Sequence, residues 1–333
     1  RLSLVGSEMC IRDRKYLVTG AAGFIGYHLC KRLCEEGIEV IGIDNMNSYY
    51  ELSLKEARLK SLEEFKNFKF YKIDLADIDE LTKFFETGKI ENIVNLAAQP
   101  GVRYSITNPD VSIRSNITGF FNLLECCKTF QVKNLIYASS SSVYGNADKT
   151  PFSIKDNVDH PVSLYAATKK ANELMAYTYH HLYNISTTGL RFFTVYGPWG
   201  RPDMAYFKFA KNISEGKPID VYNNGDMERD FTYIDDVIES ICRLIKKVPD
   251  NKYRLFNIGG EYPVKLMSFI ETLENKLGKK AEIIFKEMQP GDVRITYADS
   301  SELAEYINYK PVTRIDEGLE KFVNWFKDYY NYK

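Results

Sequence analysis

Short apolar runs recur along the first part of the chain at 15–19, 39–43, 68–73, 92–96, 133–139 and 186–193, each of strand length. Between them the apolar positions fall at helical spacing, around 24–36, 52–64, 77–87, 109–129 and 163–183. Strands alternating with helices in this way predict an α/β fold built on a doubly wound parallel sheet with right-handed crossovers. Binding groups should then collect at the carboxyl ends of the strands. Beyond about residue 190 the pattern turns irregular and prolines become frequent, among them Pro198, Pro202, Pro218, Pro263 and Pro311. A smaller C-terminal substrate-binding α/β domain is expected there. No repeat or low-complexity linker separates the halves, so the boundary is soft: 15–190 for the first domain, 191–333 mainly for the second, with the chain crossing back.

The segment from Lys15 to Leu29 joins the first apolar strand to the first helix through Gly20, Gly23 and Gly26. This is the opening of a Rossmann-type domain. The spacing G-x-x-G-x-x-G differs from the common dinucleotide fingerprint but serves the same physics, a tight turn that lets backbone N–H groups and a helix N-terminus approach a diphosphate. The second apolar run ends in Asp44, roughly 20 residues beyond the glycines, where a carboxylate accepts from an adenine ribose 2′-OH. Asp44 therefore favours NAD over NADP. Asp74 and Leu75 follow the third strand, at the place for an adenine. Leu96 and Ala97 follow the fourth, where small residues let a cofactor lie close.

Composition narrows the partners. A net charge of −1 leaves no electrostatic footprint for nucleic acid or a membrane surface, and no apolar run approaches the roughly 18 residues of a membrane span. Cys10, Cys30, Cys34, Cys126, Cys127 and Cys242 include no Cys-x-x-Cys pair and join no histidine cluster, so thiols in a reducing cytoplasm are expected and no metal site. Residues 1–14 fit nothing that follows. They lack the ~7–15-residue apolar core of a signal peptide, and the expectation is a non-native leader resembling translated sequencing adapter.

Tyr165 and Lys169 form a Tyr-x-x-x-Lys pair on an expected helix, and the four-residue spacing stacks phenol and ammonium on one face. A phenol, whose ordinary pKa is about 10, needs a fixed cation nearby to act as a base near neutrality. Lys169 is the candidate for that charge. The spacing recurs at Tyr306/Lys310 and Tyr329/Lys333, so context decides. That context is a run of hydroxyls, Ser139 to Ser142, at the end of the fifth strand, where a serine can hydrogen-bond a substrate hydroxyl as it becomes a carbonyl.

These elements, in this order, resemble the extended short-chain dehydrogenase/reductase family from Lys15 to nearly the end of the chain. Within it, the segments Asp44–Tyr50, Leu96–Ser105, Arg191–Met204 and Gly225–Asp236 are most similar to those of the UDP-glucuronate 4-epimerases. The resemblance implies NAD as cofactor, surrounded by Gly20, Gly23, Phe24, Ile25, Gly26, Asp44, Asn45, Asp74, Leu75, Leu96 and Ala97, with Tyr165 and Lys169 at its nicotinamide end. It implies a catalytic set of Ser140, Tyr165 and Lys169, with Tyr165 as base. Arg229 falls at a nucleotide diphosphate and Asp292 in a segment that closes over UDP. Thr194, Ser141 and Ser142 resemble carboxylate contacts, and Arg103 and Arg201 are further substrate candidates. Arg294 stands where a smaller residue is expected.

The implied reaction is C4 epimerisation of UDP-glucuronate to UDP-galacturonate through a 4-keto sugar. The related 4,6-dehydratases carry an Asp-Glu pair where this chain has Ser141 and Ser142, so dehydration lacks its acid and base. Two other readings stay open: a neutral UDP-glucose/UDP-galactose 4-epimerase, and a non-catalytic NAD-binding scaffold or sensor. Helices near 109–129 and 163–183 carry more apolar residues than one sheet face requires. Their family counterparts pair across a dimer, which implies a homodimer.

Overall fold

The structure, a computed structural model, describes residues 15–147, 149–247, 250–289 and 291–332. The expected leader at 1–14, Cys10 within it, and Lys333 of the second tyrosine–lysine repeat lie outside the described residues.

Six strands come from the first part of the chain: β1 (Lys15–Thr19), β2 (Glu39–Asp44), β3 (Phe68–Lys72), β4 (Asn92–Asn95), β5 (Asn134–Ser140) and β6 (Ser186–Phe192). Between them run α1 (Phe24–Glu35), α2 (Leu52–Leu62), α3 (Ile78–Glu86), α4 (Val102–Thr107), α5 (Pro109–Ile113), α6 (Gly119–Thr129) and α7 (Leu164–Tyr183). α5 and α6 are joined without a break by a π-helical stretch, Arg114–Thr118. The later elements are β7 (Thr194–Tyr196), α8 (Ala205–Ser214), β8 (Ile219–Tyr222), β9 (Glu228–Tyr233), α9 (Ile234–Lys246), β10 (Tyr253–Ile258), β11 (Pro263–Lys265), α10 (Leu266–Leu277), β12 (Ile283–Lys286), α11 (Ser301–Ile307) and α12 (Ile315–Tyr330).

A seven-stranded sheet in the order β10-β6-β5-β4-β1-β2-β3 pairs in parallel throughout. Its central strands are covered on both faces, which is why they read as continuous apolar runs rather than alternating ones; every residue of β6 is buried. β3 is the exception. As an edge strand it exposes Lys69, Tyr71 and Lys72, and the two lysine charges discourage further pairing. One face packs against α1, α2 and α9, the other against α3, α6 and α7.

Residues beyond 190 serve both bodies. β11-β9-β7 form a three-stranded sheet, and β8 pairs with β12. The chain then returns: Ile234, Val237, Ile238, Ile241, Leu244 and Ile245 line the buried face of α9, which packs on α1, and β10 adds to the large sheet beside β6. Helical spacing of those apolar residues is what lets one stripe seat on the existing core. The two bodies meet over the carboxyl ends of β1, β4, β5 and β6, and the site lies there.

Candidate active site

The glycine turn is shaped by contact. Gly20 takes φ +70°, and a Cβ there would lie 2.8 Å from the Ala97 nitrogen. A Cβ on Gly26 would run into the Gly20 carbonyl, so the first turn of α1 can sit against the loop only with glycine at both places. Thr19 Oγ1 donates to Asn95 Oδ1 (2.6 Å) and accepts from the Ala97 N–H (3.1 Å), which fixes Leu96 and Ala97 beside the turn. No side chain caps α1 at Gly23, so its leading N–H groups stay available to an anion. Asp44 ends β2 with Oδ1 accepting from the Met46 N–H (2.8 Å), and Lys55 of α2 reaches to 3.8 Å from the same oxygen. Burial lowers the Lys55 pKa, partly offset by Asp44. Asn45 accepts from the Asn47 N–H, and Asp74 takes bonds from the Ala76 N–H and Arg114. A cradle that any Cβ would fill, an uncapped helix start and a carboxylate at the second strand's end together fit an adenine dinucleotide.

Across the cleft stand the hydroxyls. β5 delivers Ser139 and Ser140, and α7 begins at the next turn of the site, capped by Ser163, whose Oγ accepts from the Ala166 N–H (3.1 Å). That cap sets the position of Tyr165 in the first helical turn, with its N–H bonded to Ser105 Oγ (3.1 Å). Burial raises the Tyr165 pKa, while Arg201 and a hydrogen bond to Ser140 act to lower it. Lys169 lies one turn further on; its Nζ donates to the Ala138 carbonyl (2.9 Å), and burial brings its pKa down to about 8. Arg201 thus acts on the phenol as well, which the Tyr-x-x-x-Lys spacing gave no hint of. Ser140 Oγ also donates to Ser142 Oγ (3.1 Å).

Two arrangements brace this edge. The π-helical stretch pushes Asn116 inward, where its side chain clasps both backbone groups of Gln99 and donates to Thr168 Oγ1 (3.1 Å), beside Lys169. Behind the serines, Arg191 makes a bidentate pair with Glu173 (both bonds 2.8 Å), which also accepts from Ser139 Oγ (2.6 Å).

Charge comes from both bodies. Arg201 pairs through Nε (3.0 Å) and Nη2 (2.5 Å) with Asp203, which accepts a further bond from Tyr49 (3.2 Å). Although burial opposes it, Arg201 holds the Asp203 carboxyl below its ordinary range. Arg103 bonds Asp292 (2.7 Å) and lies over the Tyr222 ring, and Arg229 is held by the carbonyls of Glu228 and Arg294. Burial lowers the Arg229 pKa. The Arg294 side chain turns instead to exposed Asp226, so its contribution here is its backbone.

Every residue singled out in the sequence as catalytic, cofactor-binding or substrate-binding lines one cleft of about 600 Å³. The same cleft is lined by Tyr49, Lys55 and Asp203, which the sequence reading passed over. Asp203 stood two residues from Arg201, and Lys55 with Arg58 stood at helical spacing just past Asp44; those spacings were the only signal. Among the described residues no group of His, Cys, Asp or Glu is placed to hold a metal ion.

Fold and cleft define a class: residues 16–259 match the NAD dependent epimerase/dehydratase family, and the chain belongs to it. Among curated proteins it is 56% identical to "Protein CapI" of Staphylococcus aureus over 95% of this chain and 99% of that one. It is 46% identical to the UDP-glucuronate 4-epimerase of Thermodesulfobacterium geofontis, over 94% of this chain and 96% of that one. Among solved structures it is similar to the Bacillus cereus UDP-glucuronic acid 4-epimerase in complex with UDP-glucuronic acid and NAD, with a TM-score of 0.89, 36% identity, and coverage of 95% and 100% of the two chains.

Proposed function

We propose that this chain is an NAD-dependent UDP-glucuronate 4-epimerase that interconverts UDP-glucuronate and UDP-galacturonate. The observation that carries the reading is one cleft lined together by Ser140, Tyr165 and Lys169, by Arg201, Thr194, Ser141 and Ser142, by the glycine turn, and by Arg229 and Asp292. Family membership and the named relatives support it.

NAD, when bound, takes up and returns the C4 hydride. Tyr165 removes the C4 hydroxyl proton and later returns one, with Ser140 holding the oxygen as it becomes a carbonyl. Arg201 and Lys169 keep positive charge near the phenolate. After oxidation the sugar must present its other face, so the grip on the sugar is loose while UDP is held at Arg229 and by the segment of Asp292. A 4-keto uronate is a β-keto acid that loses CO₂ when the breaking bond aligns with the carbonyl. Thr194, Ser141, Ser142 and Arg201 hold the carboxylate out of that alignment, and a planar guanidinium suits the task.

In this reading residues 15–190 carry the cofactor and 191–333 mainly the UDP-sugar, and the enzyme works in the cytoplasm as a homodimer. Exposed Val111, Ile113 and Phe121 on the α5–α6 helix and Leu174, Tyr177 and Leu182 on α7 supply the dimer face. Among the described residues no helix is long and apolar enough to cross a membrane. The test is to incubate the purified protein, without added NAD, with UDP-glucuronate and separately with UDP-glucose, following anomeric protons by NMR. UDP-galacturonate from the acid alone is expected. UDP-galactose from the neutral sugar, or a UDP-pentose from the acid, would overturn the substrate assignment.

A further inference from the structure

Arg58, on the inner face of α2, is fully buried, yet among the described residues no carboxylate comes within ion-pairing distance of it. A buried guanidinium without a counter-charge is costly, so its contacts must repay it. Those contacts are specific. Nη1 donates to the Ala22 carbonyl in the glycine turn (2.8 Å) and to the Tyr50 hydroxyl (2.7 Å); Nη2 donates to the carbonyls of Trp199 (2.5 Å) and Gly200 (3.1 Å). Nε has no partner. Glu51, which feels the charge, is exposed and bonded to Tyr330. One rigid planar group therefore bridges the turn that cradles the cofactor and the loop that carries Arg201. Trp199 takes φ +59° in that loop, so its conformation needs outside support.

We propose that Arg58 is a positioning residue that couples the two halves of the cleft: occupation of the glycine turn by the dinucleotide sets the Trp199–Gly200 loop and with it the placement of Arg201. The inference rests on the reading above that the turn takes NAD and that Arg201 meets the substrate carboxylate. His28 on α1 also reaches this loop, donating to the Pro198 carbonyl (2.9 Å). Burial pushes the His28 pKa down to about 3, so that bond is neutral at working pH. Of these two side chains, Arg58 is the one that bonds the turn itself. His28 keeps the loop attached when Arg58 is replaced, which favours survival of the fold.

The chain carries its own reporter. Its two tryptophans, Trp199 and Trp325, lie with ring centroids 5.4 Å apart, so indole emission reads this loop. Full-length protein stripped of NAD is titrated with ADP-ribose, with binding followed by calorimetry and emission excited at 295 nm. Wild type is expected to change emission on binding. Arg58→Met is expected to bind ADP-ribose without the change, and to raise KM for UDP-glucuronate at least tenfold while UDP alone binds as before. Arg58→Lys, which keeps the charge but cannot span both loops, should behave as Arg58→Met does and decides the matter if the methionine variant does not fold. A wild-type emission change in either variant, no change in the wild type, or loss of ADP-ribose binding by a folded variant would overturn the coupling. An intact emission response with no turnover of UDP-glucuronate would instead sink the functional reading and leave the coupling standing.

Discussion

Replacement of Glu173 by glutamine tests how the candidate catalytic edge is held. Glu173 and Arg191 have side chains only 2% exposed each, and their two 2.8 Å bonds make a bidentate pair. Glutamine keeps the shape but removes the counter-charge, stranding a guanidinium whose other side-chain partner is the Tyr144 hydroxyl at 3.0 Å. Breaking one side of a buried pair costs about 3–5 kcal/mol. The Ser139 hydroxyl also exchanges a carboxylate acceptor for an amide, about 1 kcal/mol more. Glu173 follows Lys169 by one helical turn and Ser139 precedes Ser140, so displacement should reach both and lower kcat for UDP-glucuronate roughly 10–100-fold. Urea unfolding of the NAD-bound protein, followed by circular dichroism, measures the first effect and steady-state kinetics the second. The double change Glu173→Met with Arg191→Met should recover most of the stability, because it removes both charges. A single-variant loss below about 1 kcal/mol, or a double variant no better than the single, would refute the account.

Tyr165→Phe should lower kcat by about 10²–10⁴ with bound NAD unchanged, since only the proton-transfer group is lost; wild-type turnover would remove Tyr165 from the chemistry. Arg201→Met should reduce kcat/KM for UDP-glucuronate roughly 10–100-fold, the worth of charge-assisted bonds, and leave calorimetric binding of UDP alone intact; an equal loss for UDP would place the arginine elsewhere. Lys169 is protonated below its lowered pKa and neutral above it, so affinity of the NAD-stripped protein for ADP-ribose should fall as pH rises through about 8. A flat profile from pH 7 to 10, on the order of the ordinary lysine range, would contradict a role for that charge in cofactor binding. Gly26→Ala should yield protein purified without NAD, because the new methyl meets the Gly20 carbonyl; full NAD content would mean the turn is not the cofactor seat.

Local signals carried far in this chain. The central strands are apolar on both faces, the crossover helices show a 3.6-residue stripe, and the glycines, Asp44 and Tyr165/Lys169 lie within single strand–turn–helix units, so short-range spacing determined the large sheet and one wall of the cleft. The extent of α5 through α6 was legible too, but not the π-helical stretch that turns Asn116 inward. Tertiary structure alone decided the partners of the charges. Arg58 meets Trp199, Arg191 meets Glu173, and Arg201 meets Asp203. The pairing of β10 with β6 and the small sheets around β9 were equally out of reach of periodicity. The physical reason is the same in each case. Apolar periodicity records which face of an element is buried, whereas a charge or an edge strand finds its partner by where separate elements are packed, and that information belongs to the assembled core rather than to any one stretch of chain.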